Sequence, residues 1–417
     1  MKLTKQERNW VLYDVGNSAF TLLVTTIMPI YFNYLAEQEG MTSVEYMAYW
    51  GYAASVATLL VAFMGPVLGT LADTKGFKKP IFIISLAVGA IACVTLGLAK
   101  QWLIFLGIYL IAKVGYAASL IIYDSMLTDV TEEDRMDQVS SAGYAFGYIG
   151  SCIPFVLCLV VVLGSDALGI TMDFAMAIAF IIVASWWVVM SLPLIKNYHQ
   201  RYCVKRQPHA VRQSFGRIIH TLKNIRRHKK AFLFLLAFFF YIDGVYTIID
   251  MATAYGSSLG LDSTGLLLAL LVTQIVAFPF ALLFGRLAKK YSTEKLIFLC
   301  ITAYLCIAIF AIFLTTQWQF WALAVFVGMF QGGIQALSRS YFAKIIPAEQ
   351  SGEYFGLMDI CGKGAAFLGT TIVSVVSQLT GNVNMGVGMI AILFVTGLFL
   401  FHKAAAIDRE ENTMEIS

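Results

Sequence analysis

Gly65 to Pro80 reads Gly-Pro-Val-Leu-Gly-Thr-Leu-Ala-Asp-Thr-Lys-Gly-Phe-Lys-Lys-Pro and lies between two long apolar runs. Gly65 and Gly69 remove side chains one helical turn apart, so a second helix can approach closely there. Asp73 falls where the first run ends. Gly76 permits a tight turn, and Lys75, Lys78 and Lys79 hold that turn on the side of the membrane where basic residues collect. The stretch thus reads as a span, a charged glycine turn and a second span. Gly69, Asp73 and Gly76 are candidate gating residues on that reading.

Working outward, 59% of residues are apolar and only 13% charged, against about 25% charged in a soluble domain. That excludes an ordinary soluble protein. Twelve apolar segments follow one another, at roughly 9–35, 46–72, 79–99, 102–129, 138–163, 172–195, 231–257, 264–288, 295–315, 318–343, 352–379 and 385–406. The first is too long for a cleaved leader and is read as an uncleaved span. Connections are short except for 196–230, which holds eleven Lys/Arg, four of the five His and no Asp or Glu. It is too polar for lipid. The expected fold is an all-α integral membrane protein of 12 transmembrane helices in two six-helix bundles, 1–195 and 231–406. The basic linker 196–230 joins them, and a polar, disordered tail, 407–417, follows. The linker is expected to be drawn to anionic lipid headgroups rather than to nucleic acid, with Val211 to Ile225 an amphipathic surface helix.

Of the 29 Lys/Arg, only Lys100 falls on the opposite side and only Lys113, Arg339 and Lys363 fall within spans. Basic residues mark the cytoplasmic face, so both termini and the linker are expected there, in the plasma membrane. Six of the seven Cys lie in apolar runs and Cys203 lies in the linker, without Cys-x-x-Cys or Cys/His ligand spacing. The chain therefore carries no signal for disulfides, a metal or a cofactor. It has no Gly-x-x-x-x-Gly-Lys-Ser/Thr string for ATP.

The two bundles carry an internal repeat. Gly285-Arg286-Leu287-Ala288-Lys289-Lys290-Tyr291 echoes the Gly69 turn 216 residues later, with Lys289 in the place of Asp73. Tyr123-Asp124-Ser125 recurs as Ser338-Arg339-Ser340 at an offset of 215. Two nearly equal offsets imply pseudo-symmetric halves that are no longer equivalent.

A charge in the middle of a span costs about 2.5–3.5 kcal/mol on insertion scales, so it faces a partner or a wet cavity. Four spans carry polar stripes at helical spacing. The first has Asp14, Asn17, Ser18, Thr21 and Thr25; the fourth has Lys113, Tyr116 and Asp124. The seventh has Asp243, Tyr246, Thr247 and Asp250; the tenth has Gln331, Gln335 and Arg339. Asp359 and Lys363 stand one turn apart in the eleventh. Lys113 and Asp243 lie nearest mid-depth and are the best candidates for substrate or proton work. For Asp14, Asp124 and Arg339, near the span ends, gate bridges are equally open; Asp359–Lys363 reads as a self-compensating pair and Asp250 as an outer gate.

Several strings carry a family resemblance. The turn Gly69-x-Leu71-Ala72-Asp73-x-x-Gly76-x-Lys78-Lys79 resembles the signature loop between helices 2 and 3 of major facilitator transporters. Trp10 to Phe20 (WVLYDVGNSAF), Gly143 to Ile149-Gly150, Gln331 to Ser340 (QGGIQALSRS) with Pro347, and Gly352-Glu353-Tyr354-Phe355-Gly356 are similar to the vacuole-effluxer-like branch of that superfamily. Fungal members of the branch export amino acids from the vacuole during autophagy. Gly16 stands where Ala is expected, and Thr74 and Phe77 replace basic residues of the general loop.

The resemblance implies the major facilitator fold and a monomeric secondary transporter whose first, fourth, seventh and tenth helices line a central cavity. Two halves would rock about a midplane site, with Asp73 meeting the positive start of helix 11 on closure. Lys113 and Arg339 would attract a carboxylate or phosphate, Asp243 and Asp14 an ammonium. Asn17, Tyr116, Tyr246, Asp250, Gln331 and Gln335 would complete the site, and a zwitterion such as an amino acid would satisfy it. A carboxyl withdrawn from water could also exchange a proton. Gly69, Asp73, Gly76, Asp124, Asp359 and Lys363 would serve gating. The other classes left open are a lipid, amphiphile or drug exporter of the same fold and a non-transporting receptor or assembly factor; an enzyme is disfavoured, since no Ser/His pair occurs in the spans.

Overall fold

The computed structural model describes residues 2–205, 229–258 and 263–416. Its long helices are α1 Lys5–Gln38, α2 Ser43–Ala72, α3 Lys78–Leu96, α4 Trp102–Ser125, α5 Met136–Leu163 and α6 Met172–Asn197. They continue as α7 Lys229–Ser258, α8 Ser263–Leu287, α9 Thr293–Ala311, α10 Gln317–Ile345, α11 Ser351–Thr380 and α12 Ala391–Ile416. Among the described residues, 11 helices are long and apolar enough to cross a membrane, and α11 contributes a shorter apolar stretch, Leu368–Thr380. The polar end expected to be disordered is helical backbone up to Ile416. The surface helix expected at Val211 to Ile225 lies outside the described residues.

Local chemistry sets the boundaries. Thr4 and Glu7 close α1 with a reciprocal capping box, the Glu7 amide donating to Thr4 Oγ1 at 3.2 Å and the Thr4 amide to Glu7 Oε2 at 2.7 Å. Thr42 and Glu45 repeat the device at α2. Within α1, Leu23–Ile27 widens into a π turn directly before Pro29. Proline has no N–H for the Thr25 carbonyl and its ring presses on that turn, so the helix loosens there.

Contacts divide the chain into two compact units. One comprises Met1–Thr131, Phe146–Val211 and Glu349–Gly356; the other comprises Glu132–Ala145, Arg212–Ala348 and Leu357–Ser417. In the first unit α1 packs on α6, α3 on α4, α2 on α4 and α3 on α6. In the second, α7 packs on α12, α9 on α10, α8 on α10 and α9 on α12. The pairing scheme repeats, as the offset motifs anticipate. The division is less clean than a cut at the linker, because the start of α11 is held in the first unit and the start of α5 in the second. The side chains described next are the reason.

Candidate functional site

In the first unit, α2 ends at Ala72 and Asp73 is fully buried. Its Oδ1 accepts the Gly352 amide at 2.8 Å and its Oδ2 the Glu353 amide at 2.9 Å. The first-turn amides of a helix have no intrahelical acceptor and carry positive partial charge, so a carboxylate suits them twice over. The approach is possible only because side chains are missing. A Cβ on Gly69 would lie only 2.0 Å from the Gly352 carbonyl oxygen, and one on Gly356 would lie 2.8 Å from the Pro66 Cα. Gly76 follows with φ of +82°, a left-handed conformation that closes the turn into α3.

Beside Asp73 lies a pair that sequence reading missed. Lys78 Nζ and Asp129 Oδ2 are 3.2 Å apart, both side chains fully enclosed. Lys78 also donates to Ser351 Oγ at 3.0 Å, and Ser351 donates to the Ser125 carbonyl at 3.1 Å. By sequence Lys78 is one of three lysines of the turn. The available signal was its position: a cation at the first residue of a helix opposes the helix dipole and needs an anion nearby. Glu7 is likewise buried and accepts the Thr131 hydroxyl at 2.8 Å.

The second unit has a related lock. Asp137, at the start of α5, accepts Lys344 Nζ at 2.5 Å, Thr293 Oγ1 at 2.8 Å and Ser340 Oγ at 2.6 Å. Thr293 and Lys344 stand 215 residues after Lys78 and Asp129, the offset of the sequence repeat. The scheme is conserved between units while the charges are permuted: base and acid at the first two places in one, hydroxyl and base in the other, with the acid moved to α5. Arg339 joins this lock. Its Nε donates to Ser140 Oγ at 2.9 Å, its Nη2 to the Ser140 carbonyl at 3.0 Å, and its guanidinium lies 4.3 Å from the Tyr144 ring centre. The expected carboxylate ligand is therefore a buried tether to α5.

The other candidates fall into separate groups. In the first unit, buried Asp14 accepts Asn17 Nδ2 at 3.2 Å. Tyr116 OH and Thr21 Oγ1 share a hydrogen bond of 2.8 Å, and half-buried Lys113 places Nζ 5.7 Å from the Tyr116 ring centre. Asp124, on the same helix, is half-buried. Of these contacts, the Thr21–Tyr116 bond joins α1 to α4.

In the second unit, Asp243 differs from the cavity-facing charge that was expected. It is fully buried, and both carboxylate oxygens take the Gly369 amide, at 2.9 and 3.1 Å, while Thr247 Oγ1 donates at 3.3 Å. A Cβ on Gly369 would lie 2.8 Å from Asp243 Oδ1 and overlap Thr247 Oγ1. Gly369 is thus a partner that no sequence pattern singled out. Tyr246, Gln335 and Asp359 are half-buried and Asp250 is exposed. The Lys363 side chain lies outside the described residues, and with it the Asp359–Lys363 pair. Gln331 is buried at the edge of a cavity of about 70 Å³ inside this unit. Its lining is apolar apart from Thr247, Tyr255, Thr273, Gln274 and Gln331.

A family model described as Vacuole effluxer Atg22 like matches residues 4–135 and 128–414. The Bacillus subtilis (strain 168) protein named Uncharacterized MFS-type transporter YxiO is 42% identical over 421 residues, spanning 100% of this chain and 97% of that protein. Autophagy-related protein 22-1 of Neosartorya fischeri is 22% identical over 292 residues, spanning 63% of this chain; the match takes in 47% of the fungal protein's length. Among solved structures, the MFS transporter FucP in the outward conformation has a similar fold, with TM-score 0.70 over 96% of this chain and 97% of that one at 15% identity.

Proposed function

The chain belongs to the vacuole effluxer Atg22-like family of major facilitator transporters, and from that premise we propose that it moves a small zwitterionic, amino acid-like solute by alternating access. It is a multi-pass membrane transporter and not an enzyme. In the proposed cycle, twelve spans form two halves that rock about a midplane site, and the termini face the cytoplasm of a cell whose plasma membrane holds the protein as a monomer. The direction is efflux, coupled to a proton.

The observation that carries this reading is the polar stripe of α1, with Asp14, Asn17 and Thr21, joined to that of α4, with Lys113 and Tyr116, through the Thr21–Tyr116 hydrogen bond. An acid on one stripe and a base on the other offer the two charges that a zwitterion needs. Lys113 takes the substrate carboxylate and Asp14 its ammonium. Tyr246, Asp250, Gln331 and Gln335 complete the site from the second half, while Asp243 holds α11 against α7 and serves proton exchange. Arg339, tethered to α5, belongs to the gate and not to the substrate site. Asp73 and Lys78 hold the start of α11, Asp137 holds α10 to the start of α5, and opening to the cytoplasm breaks both locks. Asp124 and the Asp359–Lys363 pair flank them.

The test is a panel of amino acids in thermal-shift measurements on the purified protein, followed by counterflow in proteoliposomes with each hit. A ligand raises the melting temperature of the state it binds. Stabilisation and counterflow that Lys113→Met abolishes support the reading; a panel with no stabilising amino acid overturns it. The apolar cavity beside Gln331 favours a second reading, export of an amphiphile, for which the same assay with apolar amines would respond instead.

A further inference from the structure

Tyr198 to Lys205, the eight residues that follow α6, lie along the α2–α3 turn. The Val204 amide donates to the Asp73 carbonyl at 2.8 Å, and the Lys75 amide donates to the Val204 carbonyl at 3.0 Å, a two-bond ladder either side of Thr74. Gln200 spans the same turn with one side chain. Its Nε2 donates to the Ala72 carbonyl at 3.1 Å, satisfying a helix-end acceptor, and its Oε1 accepts the Gly76 amide at 2.9 Å. At Asp129, the Arg201 and Tyr202 amides donate to Oδ1 at 3.0 and 2.9 Å, and the Tyr198 hydroxyl donates to Oδ2 at 2.5 Å.

We infer that this segment is a strap whose residues Tyr198, Gln200 and Val204 position the latch on α11 from behind. The latch has two arms, the Asp73 carboxylate on the Gly352 and Glu353 amides and the Lys78 ammonium on Ser351. The strap fixes the backbone of the first arm, on both sides of Thr74. It also saturates Asp129, the counter-charge of the second. Removing it would leave Asp129 buried with Lys78 alone and the Asp73 carbonyl without its donor, which low dielectric makes costly. The two arms therefore release together, and the element that decides is the first stretch of the basic linker itself. None of the motifs quoted for the turn includes these residues.

The inference rests on the gate reading above, but its test does not use transport. Amide hydrogen exchange is measured on the full-length protein in neutral-lipid nanodiscs, as wild type and as Gln200→Ala, Val204→Pro and Tyr198→Phe. Val204→Pro deletes the donor to the Asp73 carbonyl. The reporters are the Gly352 and Glu353 amides, which donate to Asp73 and not to the strap. Expected is exchange at least about tenfold faster at both reporters in all three variants, with α8–α10 unchanged. Gln200→Glu, which keeps the acceptor for Gly76 but loses the donor, falls between. Faster exchange at Val204 and Lys75 with wild-type rates at Gly352 and Glu353 would overturn the strap. If Val204→Pro does not fold, Gln200→Ala and Tyr198→Phe decide alone. Intact coupling alongside wild-type turnover of Asp73→Asn would instead remove only the gate reading.

Discussion

Asp73 and Gly352 are bound by a hydrogen bond and by an empty space. The Gly352 amide donates to Asp73 Oδ1 at 2.8 Å, and a Cβ on Gly352 would lie 2.7 Å from that same oxygen. The carboxylate reaches the helix start because residue 352 has no side chain. Charge pairing and backbone packing are thus one requirement on one pair of positions.

Asp73→Asn keeps the shape and removes the charge, leaving one acceptor for two amides. A hydrogen bond to a charged group contributes about 1.5–3 kcal/mol, so the latched state should lose roughly ten- to a hundredfold in population. Turnover in counterflow is expected to drop while expression and monodispersity stay at wild-type levels. Wild-type turnover would show that the latch does not limit the cycle.

Gly69→Ala should destabilise by about 1–3 kcal/mol, because the helices must separate to admit a methyl group. Gly51, on the same helix, has open space at its Cβ position. Gly51→Ala should leave stability unchanged or raise it slightly, since alanine favours the helix. Thermal unfolding of the two variants side by side checks the contrast.

For the enclosed Lys78–Asp129 pair, removing one partner strands the other. Lys78→Met or Asp129→Asn alone should each cost about 3–5 kcal/mol, and the double variant less than the sum. Denaturation midpoints of the four proteins close the cycle. Additive losses would mean the two side chains do not stabilise one another.

Gly369→Ala should displace the amide that Asp243 holds and force Thr247 aside. Combining it with Thr247→Ala makes room for the methyl group and should recover part of the lost melting temperature. No recovery would place the strain elsewhere than at Thr247.

Burial, followed by the neighbouring Asp129 charge, pushes the Tyr198 phenol well above its ordinary range. A group whose folded-state value is raised stabilises fully below the unfolded value, here about 10, and loses that contribution as pH rises beyond it. Melting temperature should therefore fall more steeply above about pH 10 in wild type than in Tyr198→Phe. Parallel curves would show that this hydroxyl carries no linked proton.

The helices and the two-unit repeat were legible in the chain because hydropathy and offset motifs are local or self-similar signals. The Asp73 turn was legible for the same reason. The partners of Lys78, Asp137 and Asp243 were not. Each lies on another helix, between about 50 and 280 residues away in sequence, and periodicity gives the face of a helix without naming what meets it. Arg339 shows the limit well: its stripe with Gln331 and Gln335 is real, yet the guanidinium turns to Ser140 and Tyr144. Gly369 carried no signal at all, since a glycine in an apolar run has many explanations.

The permuted charges of the two locks have a practical meaning. The Lys78–Asp129 contact is sealed from solvent, whereas the Lys344 side chain is 19% exposed. Dissolved ions can reach the second and not the first. The chain thus has one dry fastener and one partly wetted one. Raising ionic strength should slacken the wet fastener first, so salt offers a way to undo the molecule one side at a time.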